Sequence, residues 1–386
     1  MSRVLNVVAG VSFATALFQR AVDPVVQKIA IDLAVDPTTA ALLSTAFAIP
    51  YALVQPLLGG MADMLGKIRL MTACLIVLVA SALAGAVADN FPMLFAARAI
   101  SGMAAGGVFP IALAIAGDLV PLSGRQIAVS RLLAITLAGG LLGASVGGVV
   151  GDLIGWRGVF FGAAGIGAAA LLAIVLGLRG VATDAPARFD LGLLGSNYLL
   201  IFRNPLAKIC FSAVFLEGIF VFGLFPHMAA LLYAEGETRA SIAGVVIGGF
   251  GLGGVIYAFL LPWALGRFGV RRLMIAGGSL VGVALVLIGL RMPWQVEFLL
   301  FTLIGCAFYM LHGSIQIFVT ELAPAARGAS TALHSASFFV GQGIGPIFYG
   351  FGFVLFSPAP TLTLSAVVVA LVGLWCAQTL RHPPKI

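Results

Sequence analysis

Arg20 and Asp23 stand three residues apart inside the first long apolar stretch of a 386-residue chain, with Pro24 directly after them. A charge held at mid-bilayer costs about 2.5–3.5 kcal/mol even on a lenient insertion scale. Two on one helix must therefore face something other than lipid. At i, i+3 they share a helical face and can pair, and Gln27, seven residues beyond Arg20, extends the same stripe. That face is expected to look into a water-accessible cavity, with Pro24 bending the wall. A carboxyl that alternates between a guanidinium partner and a proton is a workable coupling device. A permanent structural ion pair is the other reading, and the residues leave both open.

Glu217 lies in "VFLEGIFVF", with apolar neighbours on both sides, and is a second candidate for carrying a proton. Arg98, which opens "RAISGMAAGG", is a further charge inside an apolar run. His312 and His334 belong to the residue type that changes charge near neutral pH. Each is either a cavity ligand or a hydrogen-bonded packing residue. Phe18, Arg20, Gln27, Phe220, His312, Gln316, His334 and Phe338 form the expected substrate cavity. Phe13, Phe222, Phe225, Phe308, Tyr309 and Phe339 are further aromatic candidates. An aromatic pocket with few fixed charges suits amphipathic organic solutes, while Arg20 and Arg98 leave room for an anionic one. No Walker loop, metal-ligand cluster or nucleophile–base set is present, so the sequence points away from an enzyme and from a metal site. Cys74, Cys210, Cys306 and Cys376 lack CxxC spacing and predict neither metal nor disulfide.

The elements that must hold these residues follow from composition. The chain is 61% hydrophobic and only 9% charged, against roughly 25% charged in soluble domains. Apolar runs between charged or Pro/Gly punctuation predict an all-α integral membrane protein of twelve transmembrane helices. Met1 to Ala30 reads as a retained first helix, because charges interrupt the apolar run and no convincing cleavage site follows. Fourteen of the 21 Lys and Arg residues fall on the side of the termini, four on the other, and three within or at the edge of spans. That bias predicts a multi-pass plasma (inner) membrane protein with both termini cytoplasmic. It also explains the net charge of +7 without a nucleic-acid partner. Arg131 is expected to pair with Asp118.

The predicted organisation is a six-helix bundle at 1–178, a cytoplasmic linker at 179–206 and a second bundle at 207–386. The bundles repeat. "DLVP" at 118–121 matches "ELAP" at 321–324, Pro24 matches Pro226, and Gly139 and Gly143 match Gly341 and Gly345, all at a register of 202 or 203 residues. Parallel six-helix repeats are an arrangement known among transporters.

"GGMADMLGKIR", 59–69, resembles the loop between helices two and three of the major facilitator superfamily; Gly59, Asp63, Gly66, Lys67 and Arg69 fill its motif. "RAISGMAAGG" resembles that family's helix-four motif, which implies that its opening Arg98 joins Asp23 and Glu217 in proton coupling or else serves helix packing, and "GWRGVFF", 155–161, resembles the start of its helix six. "GGLLGASVGG", 139–148, resembles the helix-five motif of the drug/proton antiporter branch, with Ala144 in place of proline. The resemblance implies a proton-coupled exporter without a cofactor, acting as a monomer in membrane lipid on a small-molecule substrate. It implies a conformational latch from Gly59, Asp63, Gly66, Lys67, Arg69, Asp118 and Arg125. Gly139, Gly143, Gly147 and Gly148, with Gly341, Gly345 and Pro346, are expected as close helix packing, either as structure alone or as surfaces on which the halves rock. A proton-coupled importer of a small organic anion and a non-transporting sensor are the competing readings.

Overall fold

The computed structural model describes residues 3–120, 122–178 and 191–380, with the side chains at 59–60, 63–64, 117, 119, 122–127, 129–130, 133, 137, 191, 193–194 and 325 left out. Every regular element among the described residues is a helix. Ten segments among the described residues are long and apolar enough to cross a bilayer. Two of them, Ala134–Gly177 and Ala240–Ile288, run for 44 and 49 residues, whereas one crossing needs about 20. Each breaks at a glycine with positive φ, Gly155 at 79° and Gly269 at 70°. The ten segments therefore supply twelve crossings, the number the sequence predicts.

Along the chain, span one is Arg3–Asp32, span two Pro37–Leu65, span three Lys67–Ala86 and span four Phe91–Ala116. Spans five and six lie either side of Gly155 within Leu122–Gly177, and span seven is Pro205–Ala234. Spans eight and nine lie either side of Gly269 within Ala240–Ile288, followed by span ten, Trp294–Glu321, span eleven, Arg327–Phe356, and span twelve, Pro358–Thr379. A linker helix, Leu191–Arg203, precedes span seven. Odd-numbered spans run from the face of the termini, the near face, to the far face; even-numbered spans return.

Local chemistry sets the ends. Proline opens spans two, seven and twelve, where its missing N–H is not needed and its φ already suits a helix. The Asn90 and Asn204 side chains cap spans four and seven by accepting from the N–H groups of Met93 and Leu206. Spans one and seven each break at a 3₁₀ turn around proline, Asp23–Val25 and Phe222–His227.

These breaks repeat. Pro24 and Pro226 are 202 residues apart, as are Ala34 and Gly236, with φ of 50° and 88°. Gly66 and Gly269 are 203 apart, and Gly155 and Ser357 202 apart, all four with positive φ. The left-handed positions thus reproduce the register read from the sequence.

One apolar core gathers residues from Val8 to Leu178 and takes in Ala240. The other gathers residues from Ile201 to Leu380 and takes in Ala144. The glycine stripes lie inside these cores. A Cβ at Gly139, Gly143 or Gly147 would strike the Phe13, Leu17 or Ala21 carbonyl of span one. Gly341 meets the Phe215 carbonyl and Gly345 meets Gly223, both on span seven. The stripes therefore bind five to one and eleven to seven within each bundle, the close helix packing expected of them. Gly148 alone of the named glycines meets the other half, at Ala240. The Pro346 carbonyl accepts from Nε2 of His227 at 3.0 Å, again within the second half.

Among the described residues, hydrogen bonds between the halves sit at mid-depth or beyond, toward the far face. Arg20 donates to Gln342 at 2.9 Å and Thr45 to the Gly343 carbonyl at 2.7 Å. Ser145 donates to the Gly244 carbonyl at 3.3 Å, and Asp152 accepts from the N–H groups of Ala240 and Ser241.

Candidate functional site

A cavity of about 780 Å³ lies between the halves. Its lining runs from Arg20, Phe222 and Gln342 at mid-depth to Gln316 and Arg327, which belong to the near-face ends of their spans. The far side is the one tied by the hydrogen bonds above. The cavity thus faces the termini, and its volume lies within the usual range for small-molecule sites.

Five of the eight expected cavity residues line it: Arg20, His312, Gln316, His334 and Phe338. Of the additional aromatics, Phe222, Phe225, Phe308, Tyr309 and Phe339 do as well, and Phe13 does not. Phe18 is corrected. It is 2% exposed and meets Phe47 and Phe160 edge-on inside the first bundle. Gln27 and Phe220 are also absent from the lining. The Gln27 expectation carried α-helical spacing through the bend at Pro24, and the Phe220 expectation rested on its span alone. A 3₁₀ turn packs three residues per turn instead of 3.6, so the turn at Asp23–Val25 rotates Gln27 off the Arg20 face. The break after Phe220 likewise leaves that ring on Phe348, with centroids 5.0 Å apart, while Phe222 takes the wall.

Arg20 and Asp23 do pair, at 3.4 Å. The second Asp23 oxygen accepts from the Ser44 hydroxyl at 2.7 Å. Asp23 is 1% exposed and lies outside the cavity lining, so its partners favour the structural reading of the two left open above. Arg98 is fully buried, with its guanidinium over Phe18 and Phe47 at 5.1 and 4.5 Å and near the Leu43 and Gln19 carbonyls. Its Nη1 has no partner.

Glu217 is not isolated, as its apolar sequence neighbours suggest. Its carboxyl lies 2.7 Å from Nδ1 of His312. The His312 ring stacks on Phe308 and lies 5.0 Å from His334, centroid to centroid. Spans seven, ten and eleven thus bring together three titratable groups that lie far apart in sequence. His312 and His334 line the cavity and Glu217 sits behind them, with Oε1 unpartnered. A proton on His312 Nδ1 can be donated to the carboxylate, and a proton on the carboxyl can be donated to the neutral ring. Such a pair holds one proton in either place beside a cavity that ligands can enter.

Sequence reasoning missed Gln19, Tyr51, Gln55 and Gln342, all in the lining. Tyr51 and Gln55 stand at i, i+4 in span two, a polar stripe in an apolar run that was legible and went unread. Nothing local marks Gln342 as the partner of Arg20.

Of the expected latch, Gly59 and the side chains of Asp63 and Arg125 lie outside those described. Gly66 ends span two with φ of 87°, which glycine adopts without a Cβ clash. Lys67 forms an ion pair with Asp118. That pairing corrects the expected Arg131–Asp118 contact: Lys67, at the start of span three, meets the carboxylate that follows span four. Arg69 is exposed. The four cysteines are free thiols.

A family model described as Major Facilitator Superfamily matches residues 8–238 and 210–386. The chain belongs to the major facilitator superfamily. It is a multi-pass membrane transporter, not an enzyme. The quinolone resistance protein NorA of Staphylococcus aureus is 26% identical to it over 354 residues, which cover 88% of this chain and 89% of NorA. The chloramphenicol resistance protein of Streptomyces lividans is 28% identical over 334 residues, 83% of this chain and 82% of that protein. Among solved structures, the nucleoside transporter NupG superposes with a TM-score of 0.77 at 16% identity, covering 99% of this chain and all of that one. At that identity the match speaks for the fold alone. The superfamily fold accounts for the paired bundles and for a cavity lined from both.

Proposed function

We propose that this transporter exports amphipathic small organic molecules in exchange for protons, by alternating access. One observation carries the reading: a carboxyl–imidazole pair, Glu217 and His312 at 2.7 Å, borders an aromatic cavity shared by both halves. NorA and the chloramphenicol resistance protein, both named for drug resistance, support the direction of transport.

Solute enters from the face of the termini, which the charge bias makes cytoplasmic, and settles among Phe222, Phe308 and Phe338. Glu217 and His312 give up a proton to the cavity as solute binds. The halves then rock, the far-side ties part, and solute leaves. A proton from the far side reloads the pair and resets the protein. The proton is the only coupling species required, no cofactor takes part, and one chain suffices.

A second reading, proton-coupled uptake of an organic anion, draws on Arg20 and Arg98. One assay separates the two. The protein is reconstituted in liposomes holding a pH dye, and candidate solutes are added. Proton movement opposite to solute supports export, movement with solute supports uptake, and Glu217→Gln is expected to abolish the proton signal. Solute flux with no proton movement overturns the coupled scheme.

A further inference from the structure

Charge inside the cavity is one-sided. Among the described residues its lining holds two guanidiniums, Arg20 and Arg327, and no carboxylate. The nearest acids lie outside the lining, and Glu321 pairs with Arg327 at 3.0 Å at the near-face mouth, which leaves Arg20 as the cation at mid-depth. Asp23 gives its oxygens to Ser44 and Arg20, and Glu217 stands behind His312. Asp23 also interacts with Arg98, so one carboxylate serves two guanidiniums and the buried group carries a net positive charge. A cationic solute entering here would lose water and meet no opposite charge, which is costly in a low-dielectric wall.

Arg20 is placed to receive an anion. Its side chain is 16% exposed. Its guanidinium carries five N–H donors, and its hydrogen bonds to Asp23 and Gln342 leave three for a ligand. The group lies over the rings of Phe222 and Phe225 at 4.7 and 5.0 Å, and both rings face the cavity. Flat aromatic walls therefore meet a planar two-pronged donor, the geometry that matches a carboxylate. Gln55 and His334 also line the cavity, and their Oε1 and Nε2 atoms are buried without a partner.

We infer that the cavity selects aromatic acids over aromatic cations of the same ring size, with Arg20 receiving the carboxylate. The inference rests on the export reading for its physiological role and names the substrate class of that same site.

Three ligands with one ring system provide the test: anthracene-9-carboxylate, anthracene-9-carboxamide and (anthracen-9-ylmethyl)trimethylammonium. Each is titrated onto the purified full-length protein in detergent at neutral pH and followed by fluorescence anisotropy. The acid is expected to bind at least about tenfold tighter than the ammonium. Arg20→Gln is expected to remove about tenfold from acid affinity and to change amide affinity less than about threefold. Should Arg20→Gln fail to fold, the double variant Arg20→Gln/Asp23→Asn replaces the ion pair by a neutral pair and is expected to lose the same preference. Ammonium binding as tight as the acid, or equal weakening of acid and amide by the substitution, overturns the inference. Equilibrium binding needs no transport. Acid preference with a silent liposome assay therefore counts against the export reading alone, and cation preference with working counterflow counts against this one alone.

Discussion

The Asp152 carboxylate accepts the backbone N–H of Ala240 at 2.9 Å, joining the far end of span five to the first residue of span eight. The first N–H groups of a helix have no acceptor within it, and span eight makes no side-chain cap of its own at Arg239. Asp152 supplies the missing cap from the other half. It also accepts from Ser241 at 2.8 Å and pairs with Lys28 at 2.8 Å. In the proposed cycle these bonds act as a far-side latch that parts when the cavity turns to the far face.

Asp152→Ala removes the latch while leaving each bundle's core untouched. Hydrogen bonds to a charged group contribute about 1.5–3 kcal/mol, and partial exposure of Asp152 brings the expected shift nearer 1–2 kcal/mol. That corresponds to about five- to thirtyfold in the balance between the two states. Spin labels at Val87 and Leu290, each 61% exposed at the far ends of spans three and nine, report it. The distance distribution should move to longer values in Asp152→Ala, and less so in Asp152→Asn. An unchanged distribution removes the latch role.

Asp23 and Glu217 should separate under mutation. Asp23→Asn strands Arg20 and Arg98 without their carboxylate, and loss of one partner of a buried pair costs about 3–5 kcal/mol. Thermal unfolding in detergent should fall sharply, and the double variant Arg20→Gln/Asp23→Asn should recover part of the loss. Glu217→Gln keeps the shape and one acceptor for His312. It should unfold near the wild-type temperature yet carry no protons against solute. Normal folding of Asp23→Asn together with lost coupling would return Asp23 to the proton path.

Close helix approach predicts a contrast among glycines. Gly147→Ala drives a Cβ into the Ala21 carbonyl, and Gly341→Ala into that of Phe215. Overpacking of this kind costs about 1–3 kcal/mol. At Gly162 and Gly165 a Cβ meets nothing within 4 Å. Alanine there should leave the unfolding temperature level or slightly raised, because it lowers the entropy lost on helix formation. Equal losses at all four positions would contradict the packing described.

Ser357 holds φ at 67° where its repeat partner, Gly155, holds 79°. A non-glycine residue in that region carries about 1–3 kcal/mol of backbone strain. Ser357→Gly should therefore raise the unfolding temperature, and Gly155→Ser should lower it. The two measurements form a matched pair across the repeat, with opposite signs expected.

The fold was almost wholly legible in the sequence. Apolar runs of bilayer length, prolines at helix starts and glycines at a register of 202–203 residues are local signals, and they specify spans, breaks and repeat directly. The Arg20–Asp23 pair was legible for the same reason, being three residues apart on one turn. Gln27 and Phe220 failed where local geometry changed: a 3₁₀ turn shifts helical phase, and the residue pattern alone does not reveal by how much.

Tertiary structure decided everything that needed two spans to meet. Glu217, surrounded by apolar letters, gained His312 from 95 residues away, and His312 gained His334 as a neighbour. Lys67 rather than Arg131 took Asp118, and the glycine stripes turned inward to their own bundles. Periodicity tells which residues share a face of one helix. Which helix that face meets, and whether two charges meet across the gap, depends on how twelve such faces close around one cavity, and that is a property of the packed chain.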